Sequence, residues 1–239
     1  MSTSLSGRVV AVTGAVGGIG AVTCERLRSD RATVYALDVR PEDGEFGVVC
    51  DVSDPDSVEE AMRTIHSKEG RIDGIVAGAA IVEDDVPSEE MSPAEFAKVV
   101  GVNLNGVFHT LTAAGRYMLA QHSGAAVAIS SMSGNHTVNT PQRQCAYNAS
   151  KAGVSALVRS LAAEWAGRGV RVNAIAPGYI DTQLLALKKH QFGQWLGHTP
   201  QGRMGSPAEV AATIAFLLGD DAAYFCGSEL LMDGGYTLI

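Results

Sequence analysis

The stretch VVAVTGAVGGIG, residues 9–20, decides the fold of this chain. It opens with a run of β-branched and small apolar residues, which predicts a buried strand over 9–13. Gly14, Gly18 and Gly20 then allow a sharp turn and a close approach of the backbone to a pyrophosphate. The helix predicted over 20–29 presents free N–H groups and the positive end of its dipole to the same phosphates. The stretch therefore favours a dinucleotide-binding turn over a glycine turn without a ligand.

Short apolar runs alternate with longer helical segments along the whole chain. Strands are predicted at 9–13, 32–38, 48–52, 74–77, 125–130, 171–176 and 229–233, and helices at 20–29, 57–67, 93–118 with a break near Gly101, 146–166 and 207–218. Repeated strand–helix–strand units predict an α/β fold with a parallel sheet of about seven strands and helices on both faces. No linker divides the 239 residues, so we expect a single doubly wound Rossmann-type domain over 1–239.

One long segment, 182–205, interrupts this alternation. It combines polar, basic and aromatic residues, among them Lys188, Lys189, Phe192 and Trp195. Connections of this length usually have a function. The segment is expected to form a lid over a substrate site; the alternative is a helical insertion with no role in binding.

Composition limits the classes of partner. The net charge is −8 without a Lys/Arg cluster, which argues against nucleic acid. The four cysteines are far apart and form no zinc-type spacing, so we expect reduced thiols and a cytoplasmic location. No targeting leader and no apolar run long enough for a membrane span is present in the sequence.

Two acidic residues follow predicted strands near the glycine turn. Asp38 ends the second strand, where its carboxylate can accept hydrogen bonds from both hydroxyls of an adenosine ribose and repel a 2′-phosphate. NAD is therefore preferred over NADP, although Arg40 partly offsets the effect. Asp51, followed by Val52, either hydrogen-bonds the adenine amine or caps a helix.

A second group of residues carries acid–base chemistry. Tyr147 and Lys151 are four residues apart on a predicted helix and share one face. A neighbouring ammonium lowers the pKa of a phenol, which prepares Tyr147 to exchange a proton with an alcohol or a ketone. Ser131, after the fifth strand, is placed to hydrogen-bond the reacting oxygen. Asn103 is an amide inside a helix, which indicates a specific hydrogen-bonding role.

These motifs together resemble the short-chain dehydrogenase/reductase family. The resemblance runs from about Arg8 to Tyr236 and consists, in order, of TGAVGGIG (13–20), Asp38, Asp51-Val52, Asn103, Ser131, YNASK (147–151), Pro177-Gly178 and DGG (233–235). It implies a catalytic tetrad of Asn103, Ser131, Tyr147 and Lys151, with Tyr147 as the acid/base. Lys151 would lower the tyrosine pKa and hold the nicotinamide ribose, and Asn103 would position a relay water. The resemblance also implies a homotetramer.

The cofactor contacts expected from the glycine turn, the acids and the resemblance form one set. They are Gly14, Val16, Gly18, Ile19, Gly20, Asp38, Val39, Asp51, Val52, Ala79, Tyr147, Lys151, Pro177, Gly178, Ile180 and Thr182.

Two departures from the family pattern bear on the site. The family's usual Asn-Asn-Ala-Gly after the fourth strand is replaced by Ala77-Gly78-Ala79-Ala80, which puts local bracing in doubt. The interval between Ser131 and Tyr147 is longer than usual and resembles that of polyol and ketose dehydrogenases of the galactitol and mannitol type. The polar residues of this loop, expected to read substrate hydroxyls unless the loop is simply solvated, are Asn135, His136, Asn139, Gln142 and Gln144.

The predicted function is oxidoreduction between a secondary alcohol, a polyol or similarly hydroxylated compound, and its ketone, with NAD and without a metal. A 3-oxoacyl thioester reductase is the alternative, which Asp38 and the acidic charge disfavour. A lesser alternative is a non-catalytic dinucleotide sensor, which the altered segment 77–80 supports and the complete tetrad opposes.

Overall fold

A single parallel sheet of seven strands organises the protein. The computed structural model describes residues 5–41, 43–137, 141–186 and 189–239. The strands are β1 (Val9–Thr13), β2 (Thr33–Asp38), β3 (Gly47–Val49), β4 (Gly74–Ala77), β5 (Gly124–Ile129), β6 (Val170–Pro177) and β7 (Glu229–Met232). Their spatial order is β3-β2-β1-β4-β5-β6-β7, and every neighbouring pair is parallel. The predicted fold class is confirmed.

Helices cover both faces of the sheet. They are α1 (Gly18–Ser29), α2 (Pro55–Glu69), α3 (Pro93–Val100), α4 (Gly106–Ala120), α5 (Met132–Asn135), α6 (Cys145–Trp165), α7 (Gln183–Ala186), α8 (Phe192–Gly197) and α9 (Pro207–Leu218). The helices α1 and α9 pack against each other on one face, and α2, α4 and α6 lie on the other.

The core forms two layers because successive residues of a strand point to opposite faces. In β1, Val9 and Ala11 join the layer beneath α2, α4 and α6, whereas Val10 and Val12 join the layer beneath α1 and α9. All five residues of β1 are buried, as expected for a central strand that is covered on both faces.

Most predicted elements differ from the observed ones by a few residues at their ends. The predicted break near Gly101 is confirmed as a π-helix over Gly101–Asn105, between α3 and α4. The third strand is shorter than predicted, since the chain turns after Cys50 and Asp51 accepts hydrogen bonds from the N–H and hydroxyl of Ser53. The short helix α5 is not among the predicted elements; Ser131 is its N-cap residue and accepts from the Ser133 N–H.

At two positions of the glycine turn, a side chain would collide with backbone atoms. Gly14 has a φ of +70°, and a Cβ there would lie 2.8 Å from the Cα of Ala79. A Cβ at Gly20 would lie 2.1 Å from the carbonyl oxygen of Gly14. The backbone of the turn therefore packs directly against the connection after β4 and against the first turn of α1.

We expect Gly20→Ala to lower the free energy of unfolding by about 1–3 kcal/mol, because the new methyl group meets backbone rather than a flexible side chain. Urea unfolding measures the change. Gly197→Ala is the matched control, since a Cβ at Gly197 meets nothing within 4 Å. Equal stabilities of the two variants would contradict the steric account.

Candidate functional site

The order of the strands reverses between β1 and β4, and a crevice opens there at the carboxyl ends of the strands. A cavity of 690 Å³ lies at this crevice. Its lining contains seven of the predicted cofactor residues: Gly14, Val16, Asp38, Val39, Asp51, Val52 and Ala79. Arg40, Ser53, Lys98 and Val102 also line it. The structure thus brings together residues from four different connections.

One end of this crevice is formed by the start of α1. The N-cap residue of α1 is Gly17, which has no side chain to offer to the first N–H groups of the helix. These donors and the helix dipole favour an anion at the turn. Gly18 faces Thr182, whose Cγ2 would lie 3.0 Å from a Cβ at Gly18. Glycine here lets the segment after β6 approach the turn.

Asp38 lies at the end of β2 beside the glycine turn. Its Oδ2 accepts from the N–H of Val16 at 3.3 Å, and its Oδ1 accepts from the N–H of Arg40 at 3.3 Å. Asp51 lines the same cavity but does not cap a helix; Asp54 caps α2 through the N–H of Asp56. Of the two predicted roles of Asp51, capping of a helix is therefore wrong.

A second cavity, of 150 Å³, contains the predicted chemical groups. It is lined by Ser131 and Tyr147 together with the predicted cofactor residues Ile19, Pro177, Gly178, Ile180 and Thr182. The polar residues Gln142 and Gln144 also line it, and both are buried. The hydroxyl of Tyr179 donates to Oε1 of Gln142 at 3.2 Å.

The protein environment of Tyr147 favours the protonated phenol. Burial raises the pKa of Tyr147, a hydrogen bond with Ser131 lowers it, and the negative charge of Glu83 raises it. The net direction is upward, whereas the sequence predicts a pKa lowered by Lys151. The reason is that burial outweighs the favourable contacts of the phenol.

Lys151 lies on the same helix, with Nζ 5.6 Å from the centre of the Tyr147 ring. Its ammonium group donates to the carbonyl oxygen of Ile129 at 2.7 Å, at the end of β5. Burial lowers the pKa of Lys151 to about 8. The predicted juxtaposition of the two side chains on one helical face is therefore present, and the lysine is anchored to the sheet.

Asn103 connects the π-helix with the connection after β4. Its amide oxygen accepts from the N–H of Ile81 at 2.8 Å, and its amide nitrogen donates to the carbonyl of Ile81 at 2.8 Å and to the hydroxyl of Ser150 at 3.2 Å. The side chain is fully buried. Asn103 thus joins the π-helix, the connection after β4 at Ile81, and α6 at Ser150. We call these three hydrogen bonds the Asn103 clamp.

The segment 77–80 has other braces in place of the family's asparagines. The hydroxyl of Thr13 accepts from the N–H of Gly78 at 3.1 Å and donates to the carbonyl of Val76 at 3.4 Å. The Asn103 clamp holds Ile81, the next residue after the segment. The doubt about bracing that the sequence raises is therefore answered by Thr13 and Asn103.

Two residues of the polar loop lie elsewhere than predicted. His136 and Asn135 hydrogen-bond Oε1 of Glu229 at 3.0 and 3.4 Å and do not line the cavity of Tyr147. The short helix α5 turns them toward β7, so the expectation that they read a substrate is wrong. Asn139 and Lys188 lie outside the described residues. Gln142 and Gln144 remain as loop residues that face the site.

Sequence reasoning missed Glu83 and Tyr179. Glu83 is buried and its carboxylate accepts from the N–H groups of Ala146 and Tyr147. A glutamate in an acidic connection carries no signal of such a contact. Tyr179 directly follows Pro177-Gly178, and this position was the available indication that it faces the site.

Comparison with known proteins agrees with this geometry. A family model described as enoyl-(acyl carrier protein) reductase matches residues 14–237. A crystal structure of a short-chain type dehydrogenase/reductase from Mycobacterium marinum is 32% identical, with a TM-score of 0.94, and the alignment covers 99% of this chain and 98% of that one. The chain belongs to the short-chain dehydrogenase/reductase family. The resemblance seen in the motifs is confirmed, and members of the family bind a nicotinamide dinucleotide.

Curated relatives in this family are named for sugar alcohols and ketoses. Galactitol 2-dehydrogenase (L-tagatose-forming) of Cereibacter sphaeroides is 38% identical, over 98% of this chain and 96% of that protein. Sorbose reductase sou1 of Schizosaccharomyces pombe is 35% identical, over 98% of this chain and 97% of that protein.

Two further findings concern other kinds of site. Within the described residues, no group of three or more His, Cys, Asp or Glu side chains is arranged to hold a metal ion. None of the helices in the described part of the chain combines the length and apolar character needed to cross a bilayer.

The Asn103 clamp leads to a stability prediction. Asn103→Ala leaves the N–H and C=O of Ile81 without their partner, so we expect the free energy of unfolding to fall by about 1–3 kcal/mol. Denaturant unfolding measures it. Asn105→Ala, an exposed asparagine in the same π-helix, is the control and should change stability by less than about 0.5 kcal/mol. A loss of equal size in both variants would refute the clamp.

Proposed function

We propose that the protein interconverts a secondary alcohol, a polyol or similarly hydroxylated compound, and its ketone, with NAD as the cofactor. The observation that carries the proposal is the meeting of Ser131, Tyr147, Gln142 and Gln144 in one small cavity. The hydroxyls of Ser131 and Tyr147 can hydrogen-bond a reacting oxygen of the substrate. The amide side chains of Gln142 and Gln144 can hydrogen-bond its further hydroxyls. The names of the galactitol and sorbose enzymes support the same substrate class.

The crevice fits a nicotinamide dinucleotide. Gly14, Val16 and Gly17 of the glycine turn line it, the first N–H groups of α1 suit a pyrophosphate, and Asp38 suits ribose hydroxyls. When bound, the nicotinamide supplies hydride transfer. The residues proposed to hold it are the cofactor set given above, with Lys151 at the nicotinamide ribose and Pro177, Gly178 and Thr182 beside the amide.

The chain's own residues handle the proton. In alcohol oxidation, the Oη of Tyr147 takes the proton of the substrate hydroxyl; in ketone reduction, it returns one. Ser131, whose hydrogen bond already lowers the pKa of Tyr147, orients the reacting oxygen. The positive charge of Lys151, 5.6 Å from the ring centre, opposes the effect of burial on the phenol, and a bound oxidised nicotinamide would act in the same direction. Asn103 holds the surrounding backbone, and we assign it the positioning of a relay water.

We propose that the segment 182–205 is a lid. Its two ends meet beside β6, where Asp181 donates its N–H to the carbonyl of Gly205 and Gly205 donates to that of Tyr179, both at 2.9 Å. Trp195 of α8 is fully buried and stacks on Tyr179 with ring centres 4.1 Å apart. Because Tyr179 lines the cavity of Tyr147, movement of this segment would alter access to it.

We propose a cytoplasmic homotetramer. Large apolar side chains remain exposed on α4, at Phe108, and at the C-terminus, at Leu238 and Ile239. Such surfaces suit contacts between subunits. The location rests on the four cysteines, none of which forms a disulfide in the described part of the chain.

Reduction of a 3-oxoacyl thioester is a second candidate, favoured by 36% identity, over 98% of this chain, to a 3-oxoacyl-[acyl-carrier-protein] reductase of Thermotoga maritima. It predicts turnover with NADPH and acetoacetyl thioesters. A panel of polyols, simple secondary alcohols and hydroxyacyl thioesters with each cofactor, followed by the near-ultraviolet absorbance of the reduced nicotinamide, separates the two candidates. Turnover of thioesters with NADPH alone would replace the polyol proposal.

Tyr147→Phe removes the phenolic proton carrier without disturbing the cofactor crevice. We expect turnover to fall about 10²–10⁴-fold, with NADH binding unchanged by fluorescence titration. Tyr224→Phe, at a fully exposed tyrosine, is the control and keeps full activity. Near-normal turnover of Tyr147→Phe would remove this residue from the mechanism.

Asp38→Ala tests the preference for NAD. Loss of the carboxylate removes the repulsion of a 2′-phosphate, so the ratio of kcat/KM for NADP to that for NAD should rise about tenfold or more. Asp43→Ala, an exposed acid a few residues later, should leave the ratio unchanged. A ratio that stays constant in Asp38→Ala would show that another group sets the preference.

A further inference from the structure

The helix that carries Tyr147 is capped by a side chain from a distant part of the chain. Gln144 is the N-cap residue of α6, and its side chain makes no capping hydrogen bond within the described residues. Instead, Oε1 of Glu83 accepts from the N–H of Ala146 at 2.9 Å, and both carboxylate oxygens accept from the N–H of Tyr147 at 3.1 Å. The carboxylate thus satisfies donors that a helix start leaves without a partner inside the helix.

The contacts of Glu83 reach the backbone of Tyr147 itself. The N–H of Tyr147 is held by Glu83, and its carbonyl oxygen accepts from the hydroxyl of Ser150 at 2.7 Å. Ser150 in turn accepts from Asn103, whose other hydrogen bonds hold Ile81, two residues before Glu83. The peptide groups on both sides of Tyr147 are therefore tied to the same connection after β4.

Because Glu83 is buried, its carboxylate depends on these hydrogen bonds. Glu83 is 5% exposed, although it lies in an acidic stretch whose next residues, Asp84 and Asp85, are exposed. A buried carboxylate is stable only where hydrogen bonds or opposite charge compensate for lost water. At Glu83 the compensation comes from the N–H groups and the positive end of the dipole of α6.

The charge of Glu83 also acts on the phenol. It raises the pKa of Tyr147, in the same direction as burial and against the hydrogen bond of Ser131. The other ionisable groups near the start of α6 are Lys151 and Cys145 on the helix itself, and the exposed ion pair between Arg143 and Asp85. Among these groups, Glu83 is the buried anion bonded to the peptide N–H of Tyr147.

We infer that Glu83 is a positioning residue for Tyr147. Its carboxylate fixes the first turn of α6 through hydrogen bonds, and its charge sets the pH range in which the Tyr147 phenol loses its proton. The inference rests on the proposed role of Tyr147 for its effect on turnover. Its effects on the helix start and on the phenol are independent of any substrate.

Two substitutions separate the hydrogen bonds from the charge. Glu83→Gln keeps an oxygen acceptor and removes the charge, and Glu83→Ala removes both. Glu90→Gln is the matched control, since Glu90 is an exposed acid in the same connection. Each variant is compared with the wild type by hydrogen exchange of the amides of residues 145–148, by ultraviolet titration of the phenol with the Tyr147→Phe background subtracted, and by the pH profile of kcat/KM for alcohol oxidation.

We expect Glu83→Ala to exchange the amides of Ala146 and Tyr147 about tenfold faster, the equivalent of one lost charge-assisted hydrogen bond. The kcat of Glu83→Ala should fall by a larger factor than the factor by which its KM for the cofactor changes, because the residues that line the crevice are untouched. Glu83→Gln should keep most of the protection, and the titration of Tyr147 should move to lower pH. Because alcohol oxidation requires the phenolate, the acidic limb of its pH profile should move in the same direction.

Unchanged exchange in Glu83→Ala would overturn the capping role. A phenol that titrates alike in Glu83→Gln and Glu90→Gln would overturn the role of the charge. If the wild type oxidises no alcohol while exchange and titration change as expected, the proposed function fails and the positioning of Tyr147 by Glu83 holds.

Discussion

The close backbone approach between the turn after β1 and the connection after β4 is the constraint on which the site depends. A Cβ at Gly14 would lie 2.8 Å from Ala79, so these two segments touch through main chain. They follow the neighbouring strands at which the sheet order reverses. In a parallel sheet such a reversal directs the two connections to opposite sides and opens a crevice between them. Both the 690 Å³ cavity and the start of α1 take their positions from it.

Hydrogen bonds also fix the position of the catalytic candidates relative to the same connection after β4. Thr13 holds Gly78, Asn103 holds Ile81, and Glu83 holds the start of α6. These hydrogen bonds lead stepwise from the glycine turn to Tyr147. Since partly satisfied buried polar groups are costly, a network in which each member has a partner favours one arrangement of the crevice and of α6. The family's asparagines after β4 are thus replaced by contacts from other elements.

The wall of the Tyr147 cavity at Tyr179 is formed mainly by packed aromatic side chains. Tyr179 stacks on Trp195 and packs edge-on against Tyr236, whose ring centre lies 5.2 Å away. This aromatic group, together with Met132, forms a small apolar cluster separate from the two core layers. It supports the amide of Gln142 through the hydroxyl of Tyr179. An apolar wall with a few oriented polar groups is the usual construction of a small-molecule pocket.

The sequence by itself determined the parallel α/β fold, the glycine turn, and the pairing of Tyr147 with Lys151, because each depends on local periodicity or short spacing. It also placed Ser131 correctly, at the end of a strand. Only the tertiary structure decided the partners of Asn103, the role of Glu83 at α6, and the turning of His136 toward Glu229. These contacts join residues from 22 to 93 positions apart. They depend on which connections the strand order brings together, and no pattern within a single segment contains that information.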